Sequence, residues 1–493
     1  MENVWYPMRF PSASDGVMIY KMFINGEWVE SSNRQTFEVR NSYDNSVVGR
    51  VQKATSEDAL RAVEAAFAAK KSMEKMETVK RIELLEKIKE LVDEHKNELV
   101  DMLIQESGKP RVYAEGEANA TIERLHCAAE EVKTMHGEYI PGDLISGSSQ
   151  KFAIVSRKPV GVVLAICPFN YPLFISVSKI APAIAAGNSV VCKAASDDPI
   201  TLLMFTRLAE MAGIPKGGLN VITGGGGEIG DLLASHQKID MISFTGSTAV
   251  GKHIASIAGM KKLHLELGGK SPAIVLEDAD MDTAVKECVA GALKFSGQRC
   301  DALSRILVVE AVADDFVKRV VKEVKGWKMG DPKDPETRIG PLINEQGLQK
   351  VDGLVKDAVS KGAKVIAGGK RVGNFYEPTV LDFVTKDMRI AWEETFGPVI
   401  TIMRVKNIED AIEIANQSNY GLDASVFTQD IDKAIYVAKN IESGSVTINA
   451  SPAHGVGIFP FGGDKDSGIG REGLNYSIDE MTKLHTIVFN MKK

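Results

Sequence analysis

Apolar positions follow three rhythms along the chain. Between residues 56 and 106 they recur at three- and four-residue intervals, which predicts amphipathic helices. Thr55 and Asp58 form a capping-box pair just before ALRAVEAAFAA. The longer helical stretch KRIELLEKIKELVDEHKNELVDMLIQ stops at Gly108 and Pro110, and its Met and Leu stripe reads as core packing. From residue 160, short apolar runs alternate with helical ones. GVVLAI, NSVVCKAA, GLNVITG and MISFTG read as strands, with FISVSKIAPAIAAG, ITLLMFTRLAEMAG and EIGDLLASH as the helices between them. Such βαβ repetition predicts a parallel sheet covered by helices, with a ligand at the carboxyl ends of the strands. A second series begins near residue 270, with strand candidates PAIVLE, RILVVE, AKVIAGG, PVITIMRV, LDASVFT and GSVTINA. Two polar, alternating segments, QKFAIVSRKPVG (150–161) and LHTIVFN (484–490), stand apart from both series. They form either a projecting ribbon that pairs with another subunit or edge strands of one of the two sheets.

A chain of 493 residues implies two or three domains. Its 44% hydrophobic and 25% charged residues are ordinary for a soluble globular protein. A net charge of −7 without any basic block argues against nucleic-acid binding. No apolar run reaches ~18 residues, so no membrane span is expected. The first residues, MENVWYPMRFPSASDG, lack a basic region followed by an apolar run and do not read as a signal peptide. The five cysteines are irregularly spaced, which points to free thiols in a reducing cytoplasm. Neither H-E-x-x-H nor C-x-x-C occurs, so no metal is expected.

Two glycine patterns follow predicted strands: GGGEIG (225–230) and GSTAVG (246–251), the second opening a helix. Glycine at such a turn lets backbone N–H groups approach a pyrophosphate, and spacing alone does not choose between the two loops. In LELGGKSPA (265–273), Glu266 sits between leucines, where an apolar surround suits it to general-base work; an exposed or ion-paired glutamate is the alternative. Cys300 in FSGQRCDALSR is either a buried small hydrophobe or a nucleophile. Arg299 is a candidate activating charge if the two side chains face the same way. Asn170 in PFNYP lies at a predicted strand end, where its amide could donate to an oxyanion or simply shape a turn.

Taken together, PFNYP, SVVCK, FTGSTAVG, LELGGKSP, FSGQRC, EETFGPV and FPFGGDKDSGIGREG resemble the aldehyde dehydrogenase superfamily over nearly the whole chain. The resemblance implies an α/β fold with a Rossmann-like cofactor domain (1–137 and 162–266), an α/β catalytic domain (267–450) and an oligomerisation β-ribbon (138–161 and 476–493). It also implies dimers or tetramers, with a homotetramer built as a dimer of dimers expected. By motif position, Cys300 is the nucleophile, Glu266 the general base and Asn170 the oxyanion donor, helped by the Cys300 backbone N–H. Gly246 and Ser247 take the pyrophosphate contact, Gly226 and Gly230 lie near the adenosine end, and Lys193 reaches the adenosine ribose. Glu394 and Phe396 hold the nicotinamide ribose and ring, and Ile166, Pro168, Phe169, Phe244 and Leu267 complete the cofactor wall. Retained Cys300 and Glu266 argue against a non-catalytic scaffold. Glu394, Phe396 and Lys193 argue against a cofactor-free esterase.

Two departures refine this expectation. Many NAD-using members carry glutamate three residues after the lysine at position 193; here that position is Ser196. A carboxylate there would repel the 2′-phosphate of NADP, so its replacement by serine beside Lys193 implies NADP. The combination FNYP, SGQRC and KAAS is closest to the branch of non-phosphorylating glyceraldehyde-3-phosphate, glyceraldehyde and lactaldehyde dehydrogenases. Phosphate-using members share Arg299, Tyr171 and Arg124 but add an arginine in the loop after Asn449. In this chain that loop, ASPAHGVGIFPF, contains only His454 as a basic residue. A small, unphosphorylated hydroxyaldehyde is therefore expected, D-glyceraldehyde before lactaldehyde, with glyceraldehyde 3-phosphate as the alternative. Asn170, Tyr171, Arg124, Arg299, Asn449 and His454 are its expected contacts. Phe169 stands where tryptophan is common and keeps an aromatic wall.

Overall fold

The computed structural model describes residues 4–452, 457 and 459–491. Its centre is an eight-stranded sheet. Five strands run parallel in the spatial order Lys262–Glu266, Met241–Thr245, Val162–Ile166, Ser189–Lys193 and Leu219–Ile222. Met22–Ile24 and Glu27–Val29 extend one edge and Gly468–Ile469 the other, all antiparallel. Successive side chains of each parallel strand enter different cores. Val162, Leu164, Val191 and Ile242 pack on one face, and Val163, Ala165, Val190 and Met241 on the other. Both faces are covered, which is why these strands read as continuous apolar runs. From Val162–Ile166 the chain winds outward through Ser189–Lys193 and Leu219–Ile222, then returns to the opposite side at Met241–Thr245. That reversal opens a crevice at the strand carboxyl ends.

A second, seven-stranded sheet has the order Lys364–Ala367, Thr379–Asp382, Val399–Val405, Arg305–Val309, Pro272–Val275, Asp423–Phe427 and Ser445–Ile448. It contains all six strands expected from the second series, plus Thr379–Asp382, whose short TVLD run gave no separate signal. The chain passes from the first sheet to the second through Leu267–Ser271, from the carboxyl end of Lys262–Glu266 to the start of Pro272–Val275, and rejoins the first after Ser445–Ile448, at Gly468–Ile469. The outlying segments belong to neither sheet. Thr482–Asn490 pairs residue by residue with Lys151–Pro159, and Glu138–Pro141 flanks it, giving a separate three-stranded sheet.

The Thr55–Asp58 capping box is present and starts the helix Ser56–Lys75. The long helical stretch is broken: Thr78–Glu94 and Lys96–Ser107 meet at His95, whose ring packs edge-on against Trp5 at 5.5 Å. The apolar period continues across the break, so the pattern carried no sign of it. Gly108 ends the second helix at φ +65°. All five cysteines are free. Among the described residues, no helix is long and apolar enough to cross a membrane.

Candidate active site

A cavity of about 970 Å³ lies between the carboxyl edge of the first sheet and the amino edge of the second. Strand ends supply one wall: Ile166, Pro168 and Phe169 after the first parallel strand, Lys193 and Ser196 after the second, and Phe244 before the Gly246–Ser247 turn. Gly226, Gly230, Leu267, Glu394 and Phe396 line the same cavity, together with Asn170 and Cys300. Residues spread over more than 200 positions thus meet at one crevice. Ser247 caps the helix Thr248–Ile257, leaving its first N–H groups at the cavity, an arrangement suited to a phosphate. Gly226 and Gly230 belong to the preceding helix, Gly226–Ser235, and a Cβ at either would meet nothing within 4 Å, so its first turns lie open. Lys193 is buried, and Ser196 donates its hydroxyl to the Gly224 carbonyl at 3.1 Å. Ser196 therefore contributes mainly the absence of a charge. A dinucleotide fits this set of open glycines, helix N-terminus and buried lysine.

Cys300 follows a turn of unusual backbone. Phe295, Ser296 and Gly297 are left-handed, with φ of +50°, +55° and +69°. Side-chain bonds fix it: Ser296 Oγ donates to Gly340 O at 2.8 Å, and Gln298 Oε1 accepts from Ile343 N at 2.9 Å. The two glycines of LELGGKSP permit close approach. A Cβ on Gly269 would collide with the Cys300 carbonyl, and Gly269 N donates to Glu394 Oε1 at 3.2 Å. Burial pushes the Cys300 thiol well up, and Asp301, Glu266, Asp423 and Glu394 add to it. Arg299, considered from sequence as an activating charge, is paired elsewhere. It turns to Asp301 Oδ2 at 2.6 Å and the Pro452 carbonyl at 3.2 Å.

Asn170 is buried at the cavity wall, and its Oδ1 makes no hydrogen bond. Sequence reasoning missed its support. Lys109, also fully buried, donates to the Asn170 carbonyl at 2.7 Å, pairs with Glu117 and lies 4.0 Å from the Tyr171 ring centroid. Glu117 in turn accepts from the backbone N–H groups of Leu173 and Phe174. Lys109 and Glu117 are eight positions apart, but their links to Asn170, Leu173 and Phe174 each span more than fifty, which no local pattern records.

Glu266, Tyr171, Arg124, Arg299 and Asn449 lie outside the cavity wall that Asn170 lines. Glu266 is 4% exposed, neither carboxylate oxygen has a hydrogen-bond partner, and burial raises it far above the ordinary carboxylate range. Tyr171 packs behind Asn170 against Phe295. Arg124 is buried, 5.1 Å from the Phe174 ring, with Nη1 3.5 Å from the Gly457 carbonyl. The Asn449 amide is committed at both ends to the Thr428 backbone, at 2.9 and 3.0 Å, so it braces a loop. His454 lies outside the described residues.

The sequence profile of the aldehyde dehydrogenase family matches residues 28–487. An NADP-dependent glyceraldehyde-3-phosphate dehydrogenase of Streptococcus equinus is 42% identical over 475 residues, covering 96% of this chain and 99% of that protein. A lactaldehyde dehydrogenase of Methanococcus aeolicus is 40% identical, covering 96% of this chain and all of that one, 100%. The crystal structure of the NADP-dependent glyceraldehyde-3-phosphate dehydrogenase of Bacillus halodurans C-125, complexed with NADP, superposes with a TM-score of 0.94 at 40% identity. It covers 96% of this chain and 99% of that one.

Proposed function

This chain belongs to the aldehyde dehydrogenase family, and on that premise we propose that it oxidises a small, unphosphorylated hydroxyaldehyde, D-glyceraldehyde to D-glycerate first, with NADP. The observation that carries the substrate reading is the Arg299–Asp301 pair. Arg299 is 8% exposed and Asp301 3%, so the pair is desolvated and its charges offset each other. A phosphate dianion arriving there would compete with a carboxylate already in place. Arg299 Nη1 makes no hydrogen bond and leaves a donor for a hydroxyl oxygen. Lactaldehyde is the second substrate in order; glyceraldehyde 3-phosphate, named in the Streptococcus relative, is the competing one.

Cys300 Sγ, once deprotonated, bonds the carbonyl carbon, and the oxyanion of the resulting thiohemiacetal faces the Asn170 amide and the Cys300 N–H. NADP would be held by Lys193, Gly246, Ser247, Glu394 and Phe396, with uncharged Ser196 admitting its 2′-phosphate, and would supply the hydride acceptor. Oxidation leaves a thioester on Cys300. Glu266 takes the proton of the water that cleaves it, releasing the acid and the thiolate. We assign residues 1–137 and 162–266 to cofactor binding, 267–450 to the catalytic half, and the three-stranded sheet to contact with a second subunit of a homotetramer.

The test is kcat/KM for D-glyceraldehyde, L-lactaldehyde and glyceraldehyde 3-phosphate, each with NADP and NAD, read as nicotinamide reduction. NADP with D-glyceraldehyde is expected to lead. Equal or higher values with the phosphorylated aldehyde overturn the substrate reading, and a lead for NAD overturns the cofactor reading.

A further inference from the structure

Behind Glu266, away from the cavity, lies a closed group of charges that the reaction above does not use. His264 is two residues earlier on the strand Lys262–Glu266 and so points to the same face. It is 3% exposed. Its Nδ1 meets Glu480 Oε2 at 2.6 Å, from the short helix Leu474–Glu480. Its Nε2 lies 3.5 Å from Glu266 Oε1 and 3.7 Å from Glu472 Oε1, and makes no hydrogen bond. Lys179, from the helix Phe174–Ala185, reaches Glu472 Oε1 at 3.2 Å and Ser243 Oγ at 3.3 Å. Arg471 and Arg124 complete the surround, the first directed mainly at Asp464.

The charge census decides what His264 does. Three carboxylates, Glu266, Glu472 and Glu480, converge on one imidazole. Lys179 is bonded to Glu472 and so offsets that carboxylate. Glu480 is the most exposed of the three and holds the imidazole by its far nitrogen, leaving Nε2 aimed at Glu266. Burial alone would lower the His264 pKa, but the adjacent Glu472, Glu480 and Glu266 push it up to about 9. A buried carboxylate with no hydrogen bond of its own is costly to ionise unless a positive charge stands near it.

We propose that His264, clamped by Glu480, is a positioning residue for the general base: its imidazolium is the fixed countercharge that lets the buried Glu266 ionise and act on the thioester. This rests on the reading of Glu266 as the base of thioester hydrolysis. Hydride transfer precedes that step, so the two are separable in time.

Stopped-flow nicotinamide reduction on His264→Gln and Glu480→Gln, with D-glyceraldehyde and NADP over pH 5.5–9, tests it. For His264→Gln the first turnover is expected at the wild-type rate, followed by a steady state about tenfold slower near neutral pH, with the acid limb of kcat displaced upward by about one unit. The aldehyde KM stays within about twofold, since the imidazole touches no substrate. Glu480→Gln is expected to move the limb the same way by less, and the double variant to be no slower than His264→Gln. A wild-type acid limb in both variants overturns the proposal, as does a slower rate without a burst, which marks a purely structural role. A wild type that reduces no cofactor with any of the three aldehydes strikes the proposed function instead.

Discussion

At the scale of single residues, the proposed specificity turns on what stands next to a guanidinium. The carboxylate of Asp301 reaches Arg299 at 2.6 Å, in a place almost closed to water. Removing it leaves a buried cation without its partner, which is costly to stability and attractive to an anion. Asp301→Ala is expected to raise kcat/KM for glyceraldehyde 3-phosphate relative to D-glyceraldehyde by about tenfold, the worth of one charge-assisted hydrogen bond. The ratio of the two specificity constants reads this directly and is insensitive to a partly unfolded preparation. Single residues were also where the sequence was least complete. Cys300, Glu266 and Asn170 stood out by the motifs around them. His264, Lys109 and Asp301 did not, because a buried charge is recognised only by its partners. Those of His264 and Lys109 include Glu480, Glu472 and the Asn170 carbonyl, far away along the chain.

At the scale of elements, the turn before Cys300 is held at the expense of local backbone energy. Phe295 and Ser296 occupy the left-handed region that non-glycine residues avoid, at about 1–3 kcal/mol each. The turn persists because neighbouring loops fix it. Gly297 is pressed against the Gly397 carbonyl, so that a Cβ there would collide with it. Gly297→Ala adds both that clash and a side chain at φ +69°. It is expected to lower the melting temperature by several degrees and to abolish labelling of Cys300 at the wild-type rate, measured by calorimetry and thiol alkylation. Elements with local signals were legible in the sequence: the capping box at Thr55, the glycine stop at Gly108, the alternating strand and helix runs. The break at His95 was not, because packing against Trp5 bends the chain without interrupting its apolar period. Nor was the left-handed turn, which falls on a phenylalanine and a serine where glycine would have announced it.

At the scale of the whole molecule, one sheet is unfinished. Among the described residues, Thr482–Asn490 pairs on one side only, presenting a nine-residue edge with Leu484 and Val488 each 62% exposed. A long apolar edge is a template for another chain. Val488→Glu is expected to shift the assembly to smaller species, as read by light scattering after size-exclusion chromatography, while each subunit keeps its secondary structure. From sequence these segments were open between ribbon and sheet edge; the pairing of Thr482–Asn490 with Lys151–Pro159 settles their place within the subunit. The crossing at Leu267–Ser271 has a further effect. It begins next to Glu266 and, through Gly269, packs against the Cys300 carbonyl. Any hinge-like rotation of one sheet against the other is therefore levered straight into the separation of base and thiol. Distant substitutions that loosen the seam between the two sheets are expected to register first as poor alignment and only later as loss of the fold.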